Sequence, residues 1–325
     1  MTANNSGSEC TKSVLAVIPV HNRLEDICDL LNSFRQLALD GLRLTIAIID
    51  DGSEPPLGDK VAREFDDLSI RFLRNKTALG PGHARNQAYS IVDSDYIWFI
   101  DSDAEIINGG VLKAMVGILE FDPSIAGTGG YIERTRYGRR VLQLDVQANY
   151  LTVARAIPPE SFTSREVDIV STCNVLMKRV IFESVAPFNP KLRRDEDVDI
   201  CFTLKRKGLR FWQAPESLVF HKLSTKGRDS GHFISFSNTR HYLEDMLFTR
   251  AHLVARHKPL LLLVLPLLDL YVGMRLFYFV RKGVYLTERL QKVESASSGS
   301  WMGFIFLTVI RSYFRGFRLV LGGKL

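Results

Sequence analysis

Two carboxylates, Asp101 and Asp103, stand one residue apart directly after an apolar run. Residues 96–100 are all β-branched or aromatic, which predicts a buried strand that ends where the acids begin. Alternate residues of an extended chain face the same side, so both carboxylates can offer oxygens to one shared point. Such oxygens bind Mg²⁺ or Mn²⁺, and these ions also bind diphosphate groups. Asp-Ser-Asp also fits an ordinary polar turn, so the surrounding residues must decide between the two interpretations.

Further polar residues follow two other predicted strands. Residues 14–20 and 44–49 are apolar runs rich in β-branched residues, and apolar residues at helical spacing separate them. Strands that alternate with helices over short connections predict an α/β fold with a mostly parallel central sheet. Ligands of such sheets bind beyond the carboxyl ends of the strands, where one ligand could contact residues from each. The residues at these two strand ends are Pro19, Val20, His21, Asp50 and Asp51.

Two later segments add a positive charge and a histidine. Arg85 lies near the start of a predicted helix that follows Gly80 and Gly82. These glycines lack the third glycine of a dinucleotide-binding fingerprint, so we expect them only to shape the loop while Arg85 supplies the charge. His221 follows the last predicted strand of this region, where a histidine is compatible with a structural role or with metal binding.

The acidic run Asp195, Glu196 and Asp197 begins a well-formed predicted helix. Its first turn is acidic, its last turn is basic, and Gly208 follows it. Asp197 therefore suits an ordinary helix cap. A carboxylate at a helix N-terminus also stays ionised near neutral pH, as a general base must. The helix pattern alone leaves both roles open.

Five motifs occur in a fixed order along this part of the chain: residues 16–23 (AVIPVHNR), 49–53 (IDDGS), 82–86 (GHARN), 101–103 (DSD) and 196–199 (EDVD). Together they resemble the inverting family-2 glycosyltransferases with the GT-A fold, and five ordered motifs are far more specific than any one of them. The resemblance covers residues 13–225. It implies the fold of a nucleotide-diphospho-sugar transferase, and a reaction that moves a sugar onto an acceptor hydroxyl with inversion.

The resemblance also implies which residues bind the substrates and a metal cofactor. Asp101 and Asp103 would hold a divalent ion, Mg²⁺ or Mn²⁺, and His221 matches a position where some members supply another ligand. Asn174 falls where the family lines the acceptor side. The residues that would contact the nucleotide, the diphosphate or the acceptor are Pro19, Val20, His21, Asp50, Asp51, Arg85, Asp101, Asn174 and Glu196.

The same resemblance makes Asp197 the catalytic base. The family often has a glycine just before the Glu-Asp pair, and this chain has Asp195 there. The extra carboxylate leaves open which of Asp195, Glu196 and Asp197 accepts the proton.

Length and composition limit the class of protein. The chain has 325 residues, of which 46% are hydrophobic, so it can bury one large core or two. Residues 1–12 are polar and are predicted to form a flexible leader rather than a signal peptide. The four cysteines are scattered without CxxC spacing, which indicates neither a zinc site nor a disulfide framework and is typical of a reducing cytosol.

Charge and hydropathy set residues 226–325 apart from the rest of the chain. They hold 15 Lys and Arg against 6 Asp and Glu, whereas residues 1–225 hold 27 against 30. Residues 259–280 include only two charged residues, Asp269 and Arg275, and as a helix would be about 33 Å long, enough for a ~30 Å hydrocarbon core. Each charge at a membrane centre would cost roughly 2.5–3.5 kcal/mol, which favours helices on the membrane surface.

A true span and a soluble helical subdomain stay open as alternatives for this region. The second apolar run, residues 301–310, is too short to span a bilayer and suits an interfacial helix. Basic residues flank long aliphatic runs here and do not alternate with stacking aromatics, so we expect a membrane surface and no nucleic acid.

The family resemblance implies a metal-dependent glycosyltransferase, and the basic, apolar C-terminal region places it on the cytoplasmic face of the cell membrane, with its catalytic domain expected in the cytoplasm. Its partners would be a nucleotide-diphosphate sugar and a glycan or lipid-linked acceptor, as in polysaccharide biosynthesis for the cell envelope. One alternative is a nucleotidyltransferase-like enzyme, although the glycine-rich basic signature expected near the first strand is absent. Another is an inactive nucleotide-binding scaffold, whose properties would survive loss of Asp103 or Asp197.

Overall fold

Eleven β-strands form one sheet in the part of the chain that the structure describes. The computed structural model describes residues 11–136, 139–148, 151–156, 162–192, 194–224, 239–281 and 298–321. The strands are β1 (Ser13–Val20), β2 (Arg43–Asp51), β3 (Ile70–Asn75), β4 (Tyr96–Ile100), β5 (Ala104–Ile106), β6 (Ile125–Arg136), β7 (Arg139–Ala148), β8 (Leu151–Ala156), β9 (Arg165–Val167), β10 (Asn174–Lys178) and β11 (Arg210–His221).

Nine α-helices and a short 3₁₀ helix accompany the sheet in these described residues. The 3₁₀ helix covers Pro259–Leu263. The predicted boundary at residue 225 and most of the predicted leader lie outside the described residues. The α-helices are α1 (Leu24–Phe34), α2 (Gly58–Glu64), α3 (Pro81–Ala88), α4 (Val111–Phe121), α5 (Arg179–Glu183), α6 (Glu196–Arg206), α7 (Thr239–His257), α8 (Leu265–Arg281) and α9 (Ser298–Leu321).

The first half of the sheet is parallel, as predicted. Strands β3, β2, β1 and β4 lie side by side in that order, and each neighbouring pair is parallel. Helices α1, α2 and α3 connect them in turn, because a parallel pair needs a crossover long enough to return the chain to the same end. The carboxyl ends of these strands therefore share one edge.

The prediction of a mostly parallel sheet is wrong for the other half. β10 is antiparallel to both β4 and β6, and β7 is antiparallel to β6 and β8. Only two residues separate β6 from β7, and two separate β7 from β8. A parallel crossover needs about a dozen residues, so these neighbours must run antiparallel. The sheet is mixed.

Strand β1 is apolar from Val14 to Val20 because helices cover both of its faces. Val14 and Ile18 pack in a cluster with α1, α2 and α4, whereas Leu15 and Val17 pack in another with α3, α5 and α6. Successive strand residues point to opposite faces, so a strand covered on both sides needs apolar residues at every position. This packing fixes the sheet edge at which the candidate site lies.

The C-terminal helices pack on one another. Leu247 of α7 packs with Ile305 of α9, and a buried ion pair between Arg250 and Asp269 joins α7 to α8. A Cβ atom on Gly273 of α8 would come within 2.6 Å of a methyl carbon of Ile305, so glycine allows α8 and α9 to approach closely.

The two predicted apolar runs have a different form in the structure. Residues 259–280 are divided between the 3₁₀ helix and α8, and the charge of Asp269 is paired with Arg250. The ten-residue run at 301–310 lies inside the longer α9. Among the described residues, the length and apolar character needed to cross a bilayer do not occur together in any helix.

Candidate active site

The carboxyl ends of β1, β2 and β4 bring polar residues to one edge of the sheet. Val20 pairs with Asp50 in the parallel register of β1 and β2, and β4 lies on the other side of β1. His21 follows β1, and its Nδ1–H donates to the carbonyl oxygen of Asp51, 2.7 Å away. Asp101 directly follows β4. These sequence-predicted residues are therefore neighbours in space.

Strand β2 ends in two buried carboxylates that hold the adjacent loops. Asp50 accepts hydrogen bonds from the backbone N–H groups of Ser53, at 2.8 Å, and Leu57, at 3.2 Å. Asp51 accepts one from the N–H of Gly80, at 2.8 Å, just before α3. Both carboxylates make intramolecular bonds, so they fix the loops beside the site, including the one that leads to Arg85.

Arg85 joins two acidic residues that are far apart in the sequence. Its guanidinium lies 2.7 Å from Asp101 and 2.5 Å from Glu196, and only 3% of its side chain is exposed. Burial alone would lower the pKa of Arg85, but the carboxylates of Glu196 and Asp101 outweigh burial and raise it. The arginine therefore stays charged and ties α3 to both β4 and α6.

Asp103 contacts residues from two distant segments of the chain. Its Oδ1 lies 3.1 Å from Arg23 Nη1 and 3.3 Å from His221 Nε2, and its Oδ2 accepts the backbone N–H of Ser224 at 2.8 Å. These contacts join the segment after β4 to Arg23, which follows β1, and to the end of β11 with the residues after it. The carboxylate thus holds His221 beside Asp101.

Asp101, Cys173 and His221 form a candidate metal centre. One ligand atom of each residue lies within 4.8 Å of the other two. His221 Nε2 is 3.9 Å from Asp101 Oδ2 and 3.3 Å from Asp103 Oδ1, so Asp103 borders the group. Carboxylate oxygens and an imidazole nitrogen suit a divalent first-row metal ion. The residues present therefore fit the predicted cofactor.

Asp197 lies at the start of α6, and its pKa is raised to about 8. Burial is the main cause, and the negative charges of Glu196 and Asp195 add to it. The backbone N–H of Thr172, 3.1 Å from Oδ2, and the charge of Arg85 act in the opposite direction. The expectation that Asp197 stays ionised near neutral pH is therefore wrong, because burial and two neighbouring carboxylates outweigh the helix N-terminus. Asp197 can accept a proton from a substrate in its ionised form, which becomes more populated as pH rises towards 8.

Two residues that were predicted to contact a ligand have side chains that face the protein interior. The amide of Asn174 accepts from Trp98 Nε1 at 2.8 Å and donates to the carbonyl oxygen of Ser217 at 2.7 Å. This side chain supports the sheet, and its placement gives no support to the predicted acceptor contact. Val20 is buried in the core, so only its backbone could line a nucleotide pocket, whereas the neighbouring Pro19 is half-buried.

The structure adds residues that sequence reasoning missed. Arg23 contacts Asp103, and its position two residues after His21 in the first motif was the available signal. Asp199, in the EDVD motif, lies 2.6 Å from Arg256 and 2.8 Å from His257, which ties α6 to α7. No pattern in the sequence marked these long-range partners, nor the proximity of Cys173 to Asp101.

Comparisons with known sequences identify relatives of the catalytic region. The model of the family "Glycosyl transferase family 2" matches residues 15–185, just over half of the chain. The pre-mycofactocin glycosyltransferases of two Mycobacterium tuberculosis strains are 28% identical over 221 residues, which cover 67% of this chain. The matched region covers 44% of those proteins, so the chain spans less than half the length of these relatives.

Three solved structures share the fold at low sequence identity. GalNAc-T7 with UDP, GalNAc and Mn²⁺ has a TM-score of 0.58 at 15% identity, covering 75% of this chain and 50% of that one. TarS of S. aureus has a TM-score of 0.52 at 16% identity, covering 84% and 44%. The mannosyltransferase PcManGT from Pyrobaculum calidifontis, in complex with GDP-Man and Mn²⁺, has a TM-score of 0.50 at 14% identity, covering 97% and 88%. At these identities the likeness shows the GT-A type of α/β fold alone.

Proposed function

Because the chain belongs to glycosyl transferase family 2, we propose that it transfers a sugar from a nucleotide-diphosphate donor to a hydroxyl group of a glycan or lipid-linked acceptor. Two structures of the same fold hold UDP or GDP-Man together with Mn²⁺. This supports a nucleotide-sugar donor and a divalent metal ion for this chain.

The observation that carries this proposal is the ion-pair bridge through Arg85. It connects Asp101, at the candidate metal centre, to Glu196, the residue next to Asp197. A glycosyl transfer needs a positive centre at the departing diphosphate and a base at the attacking hydroxyl, held at a fixed separation. One buried guanidinium fixes both groups relative to each other.

The proposed reaction forms one bond and breaks another at the anomeric carbon of the donor sugar. The acceptor oxygen bonds to this carbon while the bond to the diphosphate oxygen breaks, and that oxygen keeps the electron pair. Asp197 accepts the proton of the acceptor hydroxyl as the new bond forms. When bound, the metal ion would be held by Asp101, Asp103 and His221 and would supply positive charge to the leaving diphosphate. Attack on the face opposite the diphosphate inverts the configuration.

The alternatives can be separated by the products. A glycosyltransferase releases a nucleoside diphosphate, whereas a nucleotidyltransferase acting in reverse on the same donor with pyrophosphate releases a sugar phosphate. A binding scaffold releases neither. The test incubates the protein and Mn²⁺ with a panel of UDP-, GDP- and dTDP-sugars in three arms: alone, with glycan acceptors, and with pyrophosphate. Chromatography identifies the nucleotide and any sugar phosphate released in each arm.

We expect a nucleoside diphosphate from at least one donor, and we expect Asp197→Asn to lose acceptor-dependent release. Asp168→Asn is the matched control, because Asp168 is 59% exposed and pairs with Lys205 in the last turn of α6, at the opposite end of this helix from Asp197. Retained transfer in the Asp197 variant would contradict the assigned role. Release of sugar phosphate would favour the nucleotidyltransferase.

We further propose that residues 226–325 bind the cytoplasmic face of an anionic membrane. Leu260, Leu263, Leu267, Tyr271 and Met274 recur at helical spacing along the 3₁₀ helix and α8, and all are exposed, the first three by 81%, 75% and 72%. Exposed apolar residues beside a basic surface favour insertion into the interface of an anionic bilayer. The high net positive charge of this region supports the same partner.

Vesicle flotation tests the membrane proposal. We expect the protein to float with phosphatidylglycerol vesicles, and Leu263→Ser with Leu267→Ser to reduce the bound fraction. Phe121→Ser is the control, since Phe121 is 89% exposed but lies on α4 of the catalytic region. Equal flotation of all three proteins would contradict the role of this apolar stripe.

A further inference from the structure

Cys173 places a thiol at the candidate metal centre. Its Sγ is one of the three ligand atoms that lie within 4.8 Å of one another, together with atoms of Asp101 and His221. The backbone fixes this position, because the carbonyl oxygen of Cys173 accepts the N–H of Asp101 at 3.3 Å. The residue is 1% exposed. The thiol is therefore held next to the metal carboxylate by the same backbone that ends β4.

A buried cysteine is ordinarily a small apolar residue, and Cys201 illustrates this case. Burial raises the pKa of the Cys201 thiol, and its Sγ points to the carbonyl oxygen of Val170 at 3.7 Å. Cys173 differs because a carboxylate and an imidazole lie beside its sulfur. Mixed sulfur, nitrogen and oxygen sets of this kind are typical of transition-metal sites.

We propose that the Cys173 thiolate is a direct ligand of the metal ion held by Asp101 and His221. The inference rests on the proposed function only in placing a divalent ion at Asp101. Ligand atoms on a tetrahedral ion lie about 3.3–3.8 Å apart, given metal–nitrogen and metal–sulfur bonds of about 2.0 and 2.3 Å. The three atoms lie at most 4.8 Å apart, so on binding they must approach one another by no more than about 1.5 Å.

A sulfur ligand changes which metal the site prefers. Oxygen ligands suit Mg²⁺ and Mn²⁺, whereas thiolate favours softer ions such as Zn²⁺ and Co²⁺. Binding also releases the thiol proton to solvent, because only the thiolate coordinates. Cys173 is thus the residue that raises the affinity of this site for Zn²⁺ and Co²⁺ relative to Mn²⁺.

Cobalt spectroscopy tests the proposal without any glycosyl transfer. Co²⁺ is titrated into the purified, metal-free full-length protein and into Cys173→Ser, with Cys201→Ala as the control for loss of a buried thiol. We expect a near-ultraviolet sulfur-to-cobalt charge-transfer band in the wild type and in the control, and none in Cys173→Ser. We expect Cys173→Ser to bind Co²⁺ at least about tenfold more weakly, with a smaller change for Mn²⁺.

Two outcomes overturn the inference in different ways. Visible Co²⁺ bands without a sulfur band in the wild type would refute Cys173 as a ligand and leave the divalent-metal role of Asp101 standing. Absence of any Co²⁺ bands from both the wild type and Asp101→Asn would refute the metal centre itself. If Cys173→Ser does not fold, a variant with Cys173 as its sole cysteine decides the question, because the proposal requires this variant to keep the band.

Discussion

Replacing Arg85 by methionine removes the buried cation that joins the two acidic parts of the site. Glu196 is almost fully buried and would lose its 2.5 Å partner, whereas Asp101 keeps 26% of its side chain exposed to water. Breaking a buried ion pair by removal of one partner costs about 3–5 kcal/mol. The partly exposed Asp101 adds little to this cost, because water screens its charge. We therefore expect Arg85→Met to lower the free energy of unfolding by about 3–5 kcal/mol.

Urea unfolding at pH 7 measures this loss, with Arg35→Met as the matched control. Arg35 also makes two hydrogen bonds to one carboxylate, that of Asp67, but both side chains are about half exposed. Water screens such surface pairs and they contribute little to stability, so the control should stay near the wild type. Adding Glu196→Gln to Arg85→Met removes the unpaired charge and should recover part of the stability. An Arg85→Met variant within 1 kcal/mol of the wild type, or no recovery in the double variant, would refute this reasoning.

Three further changes test other parts of the account. Between pH about 4 and about 8 the folded protein holds a proton on Asp197 that the unfolded chain has released, so this group makes stability fall as pH rises across that window. In thermal melts, the Asp197→Asn variant should lose less stability than the wild type as pH rises across this window. The wild-type transfer rate should rise with pH up to about 8. A stability profile unchanged by the substitution would contradict the raised pKa. Gly52→Ala should destabilise the protein by several kcal/mol in urea, because Gly52 has φ +76° and a Cβ there would lie 2.7 Å from the backbone nitrogen of Ala78; an effect below about 1 kcal/mol would contradict this contact. Asp199→Asn should loosen α7 from α6 and expose α7 to limited proteolysis, since Asp199 binds His257 in a buried contact; an unchanged digestion pattern would contradict that link.

The local sequence pattern was sufficient to predict the strands and helices of the parallel half of the sheet. Strands β1 and β2 are apolar on both faces, and the intervening helix has its apolar residues at regular spacing, so each element is determined within its own segment. The order of polar strand ends then placed His21, Asp51 and Asp101 at one edge. The proximity of these residues was predictable because neighbouring parallel strands have their carboxyl ends at the same edge of the sheet.

The antiparallel half depends on pairings that no local pattern encodes. β10 inserts between β4 and β6, and β7 with β8 extends the sheet. Residues 142–148 alternate between apolar and polar side chains, which indicates a strand but not which strand it pairs with. The same limit applies to side chains. Asp269 is an unfavourable charge within an apolar run, but its partner Arg250 lies on a different helix and could not be found from spacing within the run.

Sequence similarity to a family predicts which residue types occupy matching positions better than it predicts the contacts that these residues make. Asn174 occupies the matching position, yet its amide is taken up by Trp98 and Ser217. The role of the neighbouring Cys173 could not be predicted from the sequence, because only the folded chain brings its sulfur close to Asp101 and His221. In this short segment, Asn174 therefore supports the sheet, whereas Cys173 lies at the candidate metal centre.

The most direct test of the account is a calorimetric titration of UDP and GDP into the protein, in Mn²⁺ and again in EDTA. The account predicts that at least one nucleotide binds in Mn²⁺, that EDTA removes the binding, and that Asp101→Asn weakens it at least tenfold, because the diphosphate would be held through the ion at Asp101. Equal affinity in Mn²⁺ and EDTA, with Asp101→Asn unchanged, would contradict the claim that these acids form a single metal-dependent donor site.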